Sequence, residues 1–553
     1  MDSETEKLST CLKRLFPFNL LDETALIAIS PLFEIAEYSK DSSVFSSGEV
    51  PDYLYSILSG DVKVISRSPK TEGRENNLAT GDHFGEEVLS STDYRLSDAM
   101  CMTDARLLRI NKEDLSNLRN QYPAINKAFN LIYRTYKFWT RLDLPWLGND
   151  EKVLLISRRH PFFLFLRIIL VGGAGLIGSG LLLSLAITPT GVSVGLLVFA
   201  IFILFFGSLI TAWAALEWTN DYFFITSERV LAQKKMAGFY DSRQESPYSA
   251  ILSTGLESTI WGRAIGYGTI HLRSYTGDLS FKRLPFPDVI YELLEFQRHR
   301  AARETRQQDR GDIRETLQKR LDGTVAGRER PALSDLRPDT TITYSSGSFL
   351  DLLARFYGLR HEKSGSVIYR THWWILLGKT LIPSLILTGV VIFVILKLAG
   401  LIPLITDTQA YAAALILTLV SWGWWLFQYF DWHNDIYIIT PDQLVDVNRK
   451  PLGKEERRSA PIKNIQTVEF KRKGIIGLVL NFGTVRIQIG NEELTFDNVY
   501  NPASVQAEIF SCFKKYNQRI RKLEQDKLVD WIKTYDEIRK TDQDSSDKQE
   551  KNG

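Results

Sequence analysis

The chain has 553 residues, a formal net charge of +2 and a mean hydropathy of −0.11. Near-neutral charge gives no bulk attraction for nucleic acid or an acidic partner. Three distant cysteines (Cys11, Cys101, Cys512) and seven scattered histidines exclude a disulfide framework, a thiolate metal site and an HExxH-type cluster. A chain of this length is expected to fold as several domains, and its polar, acidic first six residues carry no cleavable signal.

Residues 12–145 read as a separate folded unit. A helical opening (Leu20, Leu21, Leu26, Ile27, Ile29) leads into short strands punctuated by glycines. The run Gly81-Asp82-His83-Phe84-Gly85-Glu86-Glu87-Val88-Leu89 is followed by Arg95-Leu96-Ser97, ten residues after Gly85. A short helix opening at Gly85 can aim free amides at an anion. Arg95 offers a permanently charged, planar fork for phosphate oxygens, and Glu86 can accept a ribose hydroxyl. The segment resembles the cyclic nucleotide-binding domain of the catabolite-activator family over nearly its whole length. That resemblance implies a β-roll or jelly roll. It also implies a nucleotide site of Gly85, Glu86, Glu87, Arg95, Leu96 and Ser97, with cAMP or cGMP as regulatory ligand and no cofactor. Leu96 is bulkier than the family's usual Ala or Ser, Asp98 adds a nearby anion, and Asp41 replaces an early glycine. The competing reading places Arg95 in an ordinary surface ion pair and makes the domain a ligand-free docking or dimerisation module. After Tyr122-Pro123 no helix-turn-helix follows. Instead Phe129, Leu131, Ile132, Tyr133, Tyr136, Phe138 and Trp139 run towards an apolar segment, and no six-span channel core with a selectivity loop is present.

Four apolar runs predict four transmembrane helices, in hairpins at 160–217 (spans 166–187 and 192–216) and 372–431 (spans 374–396 and 409–430). About twenty apolar residues cross a hydrocarbon core of roughly 30 Å. The connections are short and nearly uncharged, whereas Arg158, Arg159, Arg229, Lys234, Lys235, Arg360, Lys363 and Arg370 flank the other ends. Basic flanks stay inside, so the expectation is a multi-pass protein of the cytoplasmic (inner) membrane, both termini and all large domains cytoplasmic. Arg167 and Lys379 are expected to snorkel to the interface. A GxGxxG match, Gly173-Ala174-Gly175-Leu176-Ile177-Gly178, lies within a span and suits close helix approach rather than a dinucleotide.

The strongest organisational signal is a repeat. Trp218-Thr219-Asn220-Asp221 recurs as Trp432-His433-Asn434-Asp435, with Pro247 matching Pro461 and His160 matching His372. Segments 218–300 and 432–517 alternate with period two, as in Thr269-Ile270-His271-Leu272, and close on helices led by Pro287 and Pro502. The motifs NDYFFITSERVL, PYSAILSTGLEST and GYGTIHLRS resemble the bacterial pleckstrin-homology-like membrane family, with NDIYIITPDQLV, APIKNIQTVEF and NFGTVRIQI as a divergent second copy. The resemblance implies two β sandwiches or partly open barrels, each capped by a C-terminal helix, and no catalytic residues. Lys234 and Lys235, and in the second copy Arg449, Lys450, Lys454, Arg457 and Arg458 (diluted by Glu455 and Glu456), are candidates for anionic lipid headgroups. Residues 301–365 read as a charged linker, with a short amphipathic helix at 350–358. Residues 518–553 read as a helix along Ile520, Leu523, Leu528, Ile532, Tyr535 and Ile538, then disorder after about residue 541.

The reading is therefore a multidomain α+β membrane protein, without enzymatic activity, in which a nucleotide-sensing domain couples to a tandem membrane and PH-like scaffold for signalling or membrane-associated regulation. Its expected partners are the bilayer, a cyclic nucleotide, anionic headgroups, and a second copy or another membrane protein, but not nucleic acid. The alternative is a structural scaffold.

Overall fold

The computed structural model describes residues 3–550 apart from 70, 72, 91–93, 149–150, 189–190, 237–238, 274–277, 322–356, 364, 403–406, 452–454 and 491. The chain divides into two compact units, residues 1–237 with 243–303 and residues 238–242 with 304–553. Each contains two helices long and apolar enough to cross a membrane: Phe162–Ala186 and Val194–Thr219 in the first, Trp373–Leu398 and Asp407–Asn434 in the second.

The first unit opens with two four-stranded sheets. One has the order Glu34–Tyr38, Ala105–Asn111, Tyr53–Ser59, His83–Phe84; the other runs Ser43–Phe45, Ser97–Cys101, Val62–Ser66, Glu75–Leu78. Period-two alternation buries Val62, Val64 and Ser66 while Lys63 and Ile65 stay half-buried. The sheets close over Phe45, Tyr55, Ile57, Phe84 and Leu107. Asn111 then caps helix Lys112–Gln121, its Oδ1 accepting from the Asp114 amide at 2.7 Å. Pro123 starts a new helix, Pro123–Trp139, at a position where the missing N–H has no helical partner anyway. Phe129 and Ile132 on this exit helix belong to the same buried cluster as Phe223, Ile225, Phe281 and Leu293. The N-terminal domain and the β domain that follows it thus share one hydrophobic core.

Each β domain takes a strand from before its hairpin, so the boundaries read at 218 and 432 leave part of the domain out. Val153–Ser157 pairs antiparallel with Asp221–Thr226, Phe223 facing Ser157 and Ile225 facing Leu155. Asp221–Thr226 pairs in turn with Arg229–Met236. The hairpin is therefore an insertion between adjacent strands of one sheet. Its two ends are latched as well: Trp218 Nε1 donates to the Arg159 carbonyl at 3.1 Å, and His160 Nδ1 accepts from the Phe162 amide at 3.2 Å. A meander of Ser253–Glu257, Tyr267–Arg273 and Asp278–Pro285 follows, then helix Pro287–Leu321, which buries Val289, Ile290, Leu293 and Leu294.

The second unit repeats the plan. Ser366–Arg370 pairs with Ile436–Ile439, Trp432 Nε1 donates to the Thr371 carbonyl at 2.8 Å, and His372 Nδ1 accepts from the Trp374 amide at 3.2 Å. The meander is Ile465–Lys473, Phe482–Ile489 and Glu492–Tyr500, over a core including Val367, Tyr437, Ile487, Phe496 and Ile509. The repeated Trp and His thus owe their recurrence to closing and capping a hairpin. Instead of merely snorkelling, Arg167 pairs with Glu217 and Lys379 with Asp431 across each helix pair, at 2.8 and 2.7 Å. The charged linker begins as a continuation of helix Pro287–Leu321, while most of the helix read at 350–358 lies outside the described residues. The last helix runs Pro502–Glu550, beyond the point where the sequence reads as disordered.

Trp432 is buried, and replacing its indole leaves the Thr371 carbonyl without that donor. Trp432→Phe is expected to cost about 1–2 kcal/mol, read as a lowered Tm of the full chain in detergent. Half-buried Trp218→Phe should cost less.

Candidate functional site

The glycine-led cassette sits where strand His83–Phe84 ends. Gly85 adopts φ +84° and precedes a single 3-10 turn, Glu86–Leu89, rather than a longer helix. A side chain at Gly85 is excluded twice, by the left-handed backbone and because its Cβ would lie 2.9 Å from Arg95 Nη1. Strand Ser97–Cys101 begins just after Arg95 and carries it into the roll.

Arg95 is not on the surface. It is buried, with its guanidinium carbon 4.1 Å from the centroid of the Phe45 ring. Nη1 donates to the Gly85 carbonyl at 3.0 Å and to Glu87 Oε2 at 3.2 Å, and Nη2 donates to the Tyr53 carbonyl at 2.7 Å. The surface ion pair of the competing reading is thereby corrected: the pair exists, but inside. Glu87, equally buried, is the hub. Its Oε1 accepts from Ser97 Oγ at 2.8 Å, Tyr136 Oη at 3.1 Å and the Leu96 amide at 3.3 Å. The structure thus brings Gly85, Glu87, Arg95, Leu96 and Ser97 into one network, through the Leu96 main chain rather than its side chain.

Glu86 points elsewhere, into a cavity of about 90 Å³ that Ser97 and Tyr136 also line. Burial, reinforced by the charge of Glu87, pushes its carboxyl up to about 8, against the opposing pull of the Gly85 and Glu86 amides and of Arg95. The far wall comes from the β domain: Leu293, Phe296, Gln297 and Arg300 of helix Pro287–Leu321, with Lys152 and the first two residues of strand Val153–Ser157. At its rim, buried Asp82 accepts from Lys152 Nζ at 2.7 Å and from Arg300 Nη1 at 2.9 Å. Burial alone would raise the Asp82 carboxyl, but those two cations outweigh it and hold it below the usual range. One further bond leaves the site: Thr135 Oγ1, beside Tyr136, accepts from the Ile156 amide at 3.1 Å. Sequence reasoning had flagged the aromatic stretch containing Tyr136, but nothing local marks Asp82, Lys152 and Arg300, which meet only in the fold.

Comparison with known proteins identifies the domains. Residues 35–122 match the cyclic nucleotide-binding domain family, and residues 168–300 and 385–511 match the bacterial PH domain family. The chain joins one cyclic nucleotide-binding domain to two bacterial PH domains. A CRP-like cAMP-activated global transcriptional regulator of Mycobacterium tuberculosis is 30% identical over 113 residues, 20% of this chain and 50% of that protein. A cGMP-dependent 3′,5′-cGMP phosphodiesterase A of Dictyostelium discoideum is 34% identical over 110 residues, 20% of this chain and 12% of that one. Among solved structures, the regulatory subunit of a cAMP-independent protein kinase A from Trypanosoma cruzi, bound to guanosine, is 21% identical with a TM-score of 0.22, covering 24% of this chain and 49% of that one. The chain spans half or less of the length of these proteins. Each likeness covers a quarter of this chain or less. In this chain the first PH domain packs against the cavity of the nucleotide-binding domain.

The raised Glu86 carboxyl gives a pH signature. The native state keeps a proton that the unfolded chain releases near 4.5, so native stability falls as pH rises from 4.5 to about 8. Glu86→Gln removes that dependence. The variant's Tm is expected to decline less than the parent's between pH 5 and 8, as measured by calorimetric scans.

Proposed function

We propose that this is a non-enzymatic membrane protein whose nucleotide-binding domain senses a cyclic nucleotide and passes the signal to the first hairpin. The observation that carries the reading is the double engagement of Glu87, which balances Arg95 and holds Tyr136 on the exit helix. A phosphodiester supplies the same charge as Glu87. Stripping a buried cation of its partner costs roughly 3–5 kcal/mol, so Arg95 exchanges one anion for another rather than standing alone. In that exchange Glu87 relaxes its hold on Tyr136. The neighbouring Thr135 carries the displacement to Ile156, and strand Val153–Ser157 leads into the span beginning at Phe162.

The size of the cavity supports this coupling. Small-molecule pockets enclose roughly 300–1,000 Å³, against about 90 Å³ here. A nucleotide enters only if the wall made by the exit helix and the PH-domain helix gives way. Ligand affinity is then spent partly on that opening, which is the differential affinity a switch requires. Glu86 meets the ribose hydroxyl in this arrangement, and the Gly85 and Glu86 amides meet the phosphate. The hairpins lie in the cytoplasmic membrane with the domains on the cytoplasmic side.

The same closure favours a second reading, in which Arg95 and Glu87 are permanent partners and the domain only docks the PH module. Titration calorimetry of the full chain in detergent with cAMP and cGMP separates the two. Binding of either at micromolar concentration, lost at least tenfold in Arg95→Ala, is expected. Absence of heat with both leaves the docking reading. Tyr136→Phe should bind nucleotide as the parent does, yet lose the nucleotide-dependent change in protease sensitivity around residues 140–150.

A further inference from the structure

Each PH domain carries an exposed apolar prominence at the same place. In the first unit it is the short helix Ile260–Ile265, where Ile260 and Trp261 are 75% and 72% exposed. In the second it is Gly474–Val479, where Ile475, Ile476 and Val479 are 56%, 49% and 65% exposed. An offset of 215 residues aligns Ile260 with Ile475, Trp261 with Ile476 and Tyr267 with Phe482. Gly262 and Gly477 align as well, and both are buried under the helix. A Cβ there would come to 2.5 Å from the Tyr267 carbonyl or 3.2 Å from that of Phe482. The helix is thus pressed onto the start of the next strand, and its apolar residues are driven outward.

The position of that strand start is decisive. Tyr267 packs on Phe163, in the first turn of Phe162–Ala186, at 4.8 Å between ring centroids, and the His160 amide donates to the Arg283 carbonyl at 2.7 Å. Phe482 stacks on His372, the cap of Trp373–Leu398, at 4.7 Å, and the His372 amide donates to the Asn498 carbonyl at 2.8 Å. A six-residue helix extends only about 9 Å at 1.5 Å per residue. Both prominences therefore stand beside the point where a membrane span begins, at the level where a bilayer's headgroups would lie. Tryptophan prefers that level. The charge fits too: residues 258–277 and 470–490 contain no Asp or Glu, while Arg263 lies in the first helix and Lys473 precedes the second, next to Lys471 and Arg472, which pair with Glu469 and Asp241. Lys234 faces Asp221, two residues beyond the end of helix Val194–Thr219, at the same end of its domain.

We infer that each PH domain inserts this short helix into the leaflet from which its hairpin starts, as an interfacial wedge binding the headgroup and acyl boundary of an anionic bilayer. The inference rests on the hairpins being membrane-spanning, and the wedge adds a third point of attachment to the two ends of each hairpin. With three points, the domain cannot pivot about its hairpin, so displacement of its sheet is delivered to the spans.

The test is photocrosslinking of the full chain in vesicles of phosphatidylcholine and phosphatidylglycerol. A benzophenone-bearing residue replaces Trp261, Ile476, Leu181 within a span, or Val50 on the exposed β-roll, and lipid adducts are read by mass. Several-fold more acyl-chain adduct at 261 and at 476 than at 50, alongside adduct at 181, is the expected result. Adduct at 181 with neither 261 nor 476 above the level at 50 overturns the wedge while the spans stand. Crosslinks from 261 or 476 to protein, a second copy included, also overturn it, and lipid adduct at only one of the two overturns the repeated device. No adduct at 181 overturns the spans and the wedge together.

Discussion

The structure depends on a pairing of strands that the chain leaves and regains only after some fifty residues of apolar helix. Val153–Ser157 exits the sheet into one hairpin, and Asp221–Thr226 returns beside it; Ser366–Arg370 and Ile436–Ile439 do the same for the other. Backbone hydrogen bonds between neighbouring strands fix the distance between the two ends of each hairpin to a strand spacing, roughly 4.8 Å. Side chains repeat the constraint through the Trp218 and Trp432 indoles. The two helices of the first pair also pack closely on each other, glycine meeting glycine where Gly175 approaches Gly207. Sheet and spans then move as one body, and whatever displaces the edge strand displaces the hairpin.

Strand Val153–Ser157 is also the point at which the nucleotide-binding domain arrives. Through Thr135 the exit helix holds that strand, and through Tyr136 it holds Glu87. Adjacent residues on a helix point about 100° apart, so one rotation of the exit helix moves both contacts at once. In the proposed coupling Glu87 therefore weighs more than Arg95: Arg95 would recognise an anion, and the carboxylate shared between Arg95 and Tyr136 would carry that recognition outside the roll. The ion pair is also well placed to be exchanged, since a buried pair has little net stabilising value over its desolvation cost.

Much of this architecture could be read directly from the chain. The four long apolar helices declare themselves through about twenty uninterrupted apolar residues each, and the repeat because Trp, Asn, Asp and His recur at constant separation. The spacing from Gly85 to Arg95 is local and survives into the fold. What stayed hidden is non-local. Val153–Ser157 is a short apolar run whose partner lies beyond the hairpin, so period and length alone do not assign it. The inward turn of Arg95 depends on Tyr53 and Phe45, both distant from it in sequence, as well as on Glu87 of its own motif. Asp82, Lys152 and Arg300 come from three separate segments. The pairing of Arg167 with Glu217 escaped because each was judged against lipid and water rather than against the other helix.

The two PH domains are alike in plan but not in their buried charges, and the difference bears on which of them receives a signal. In the first, buried Arg229 donates to Glu151 Oε1 and Oε2 at 2.9 and 2.7 Å, pairs with Glu245, and reaches the Trp146 carbonyl at 3.2 Å. Glu151 and Trp146 belong to the segment that links the exit helix to strand Val153–Ser157, and Trp146 packs edge-on against Phe224 of the sheet at 5.1 Å. Arg229 therefore fastens that incoming segment to the domain. At the matching position, 214 residues on, stands Gln443, exposed, and Glu245 is matched by Ser459. Buried ions of this kind are costly to desolvate and tend to be retained for specificity rather than stability. They lie in the copy that shares a core with the nucleotide-binding domain, the copy through which the proposed signal would pass.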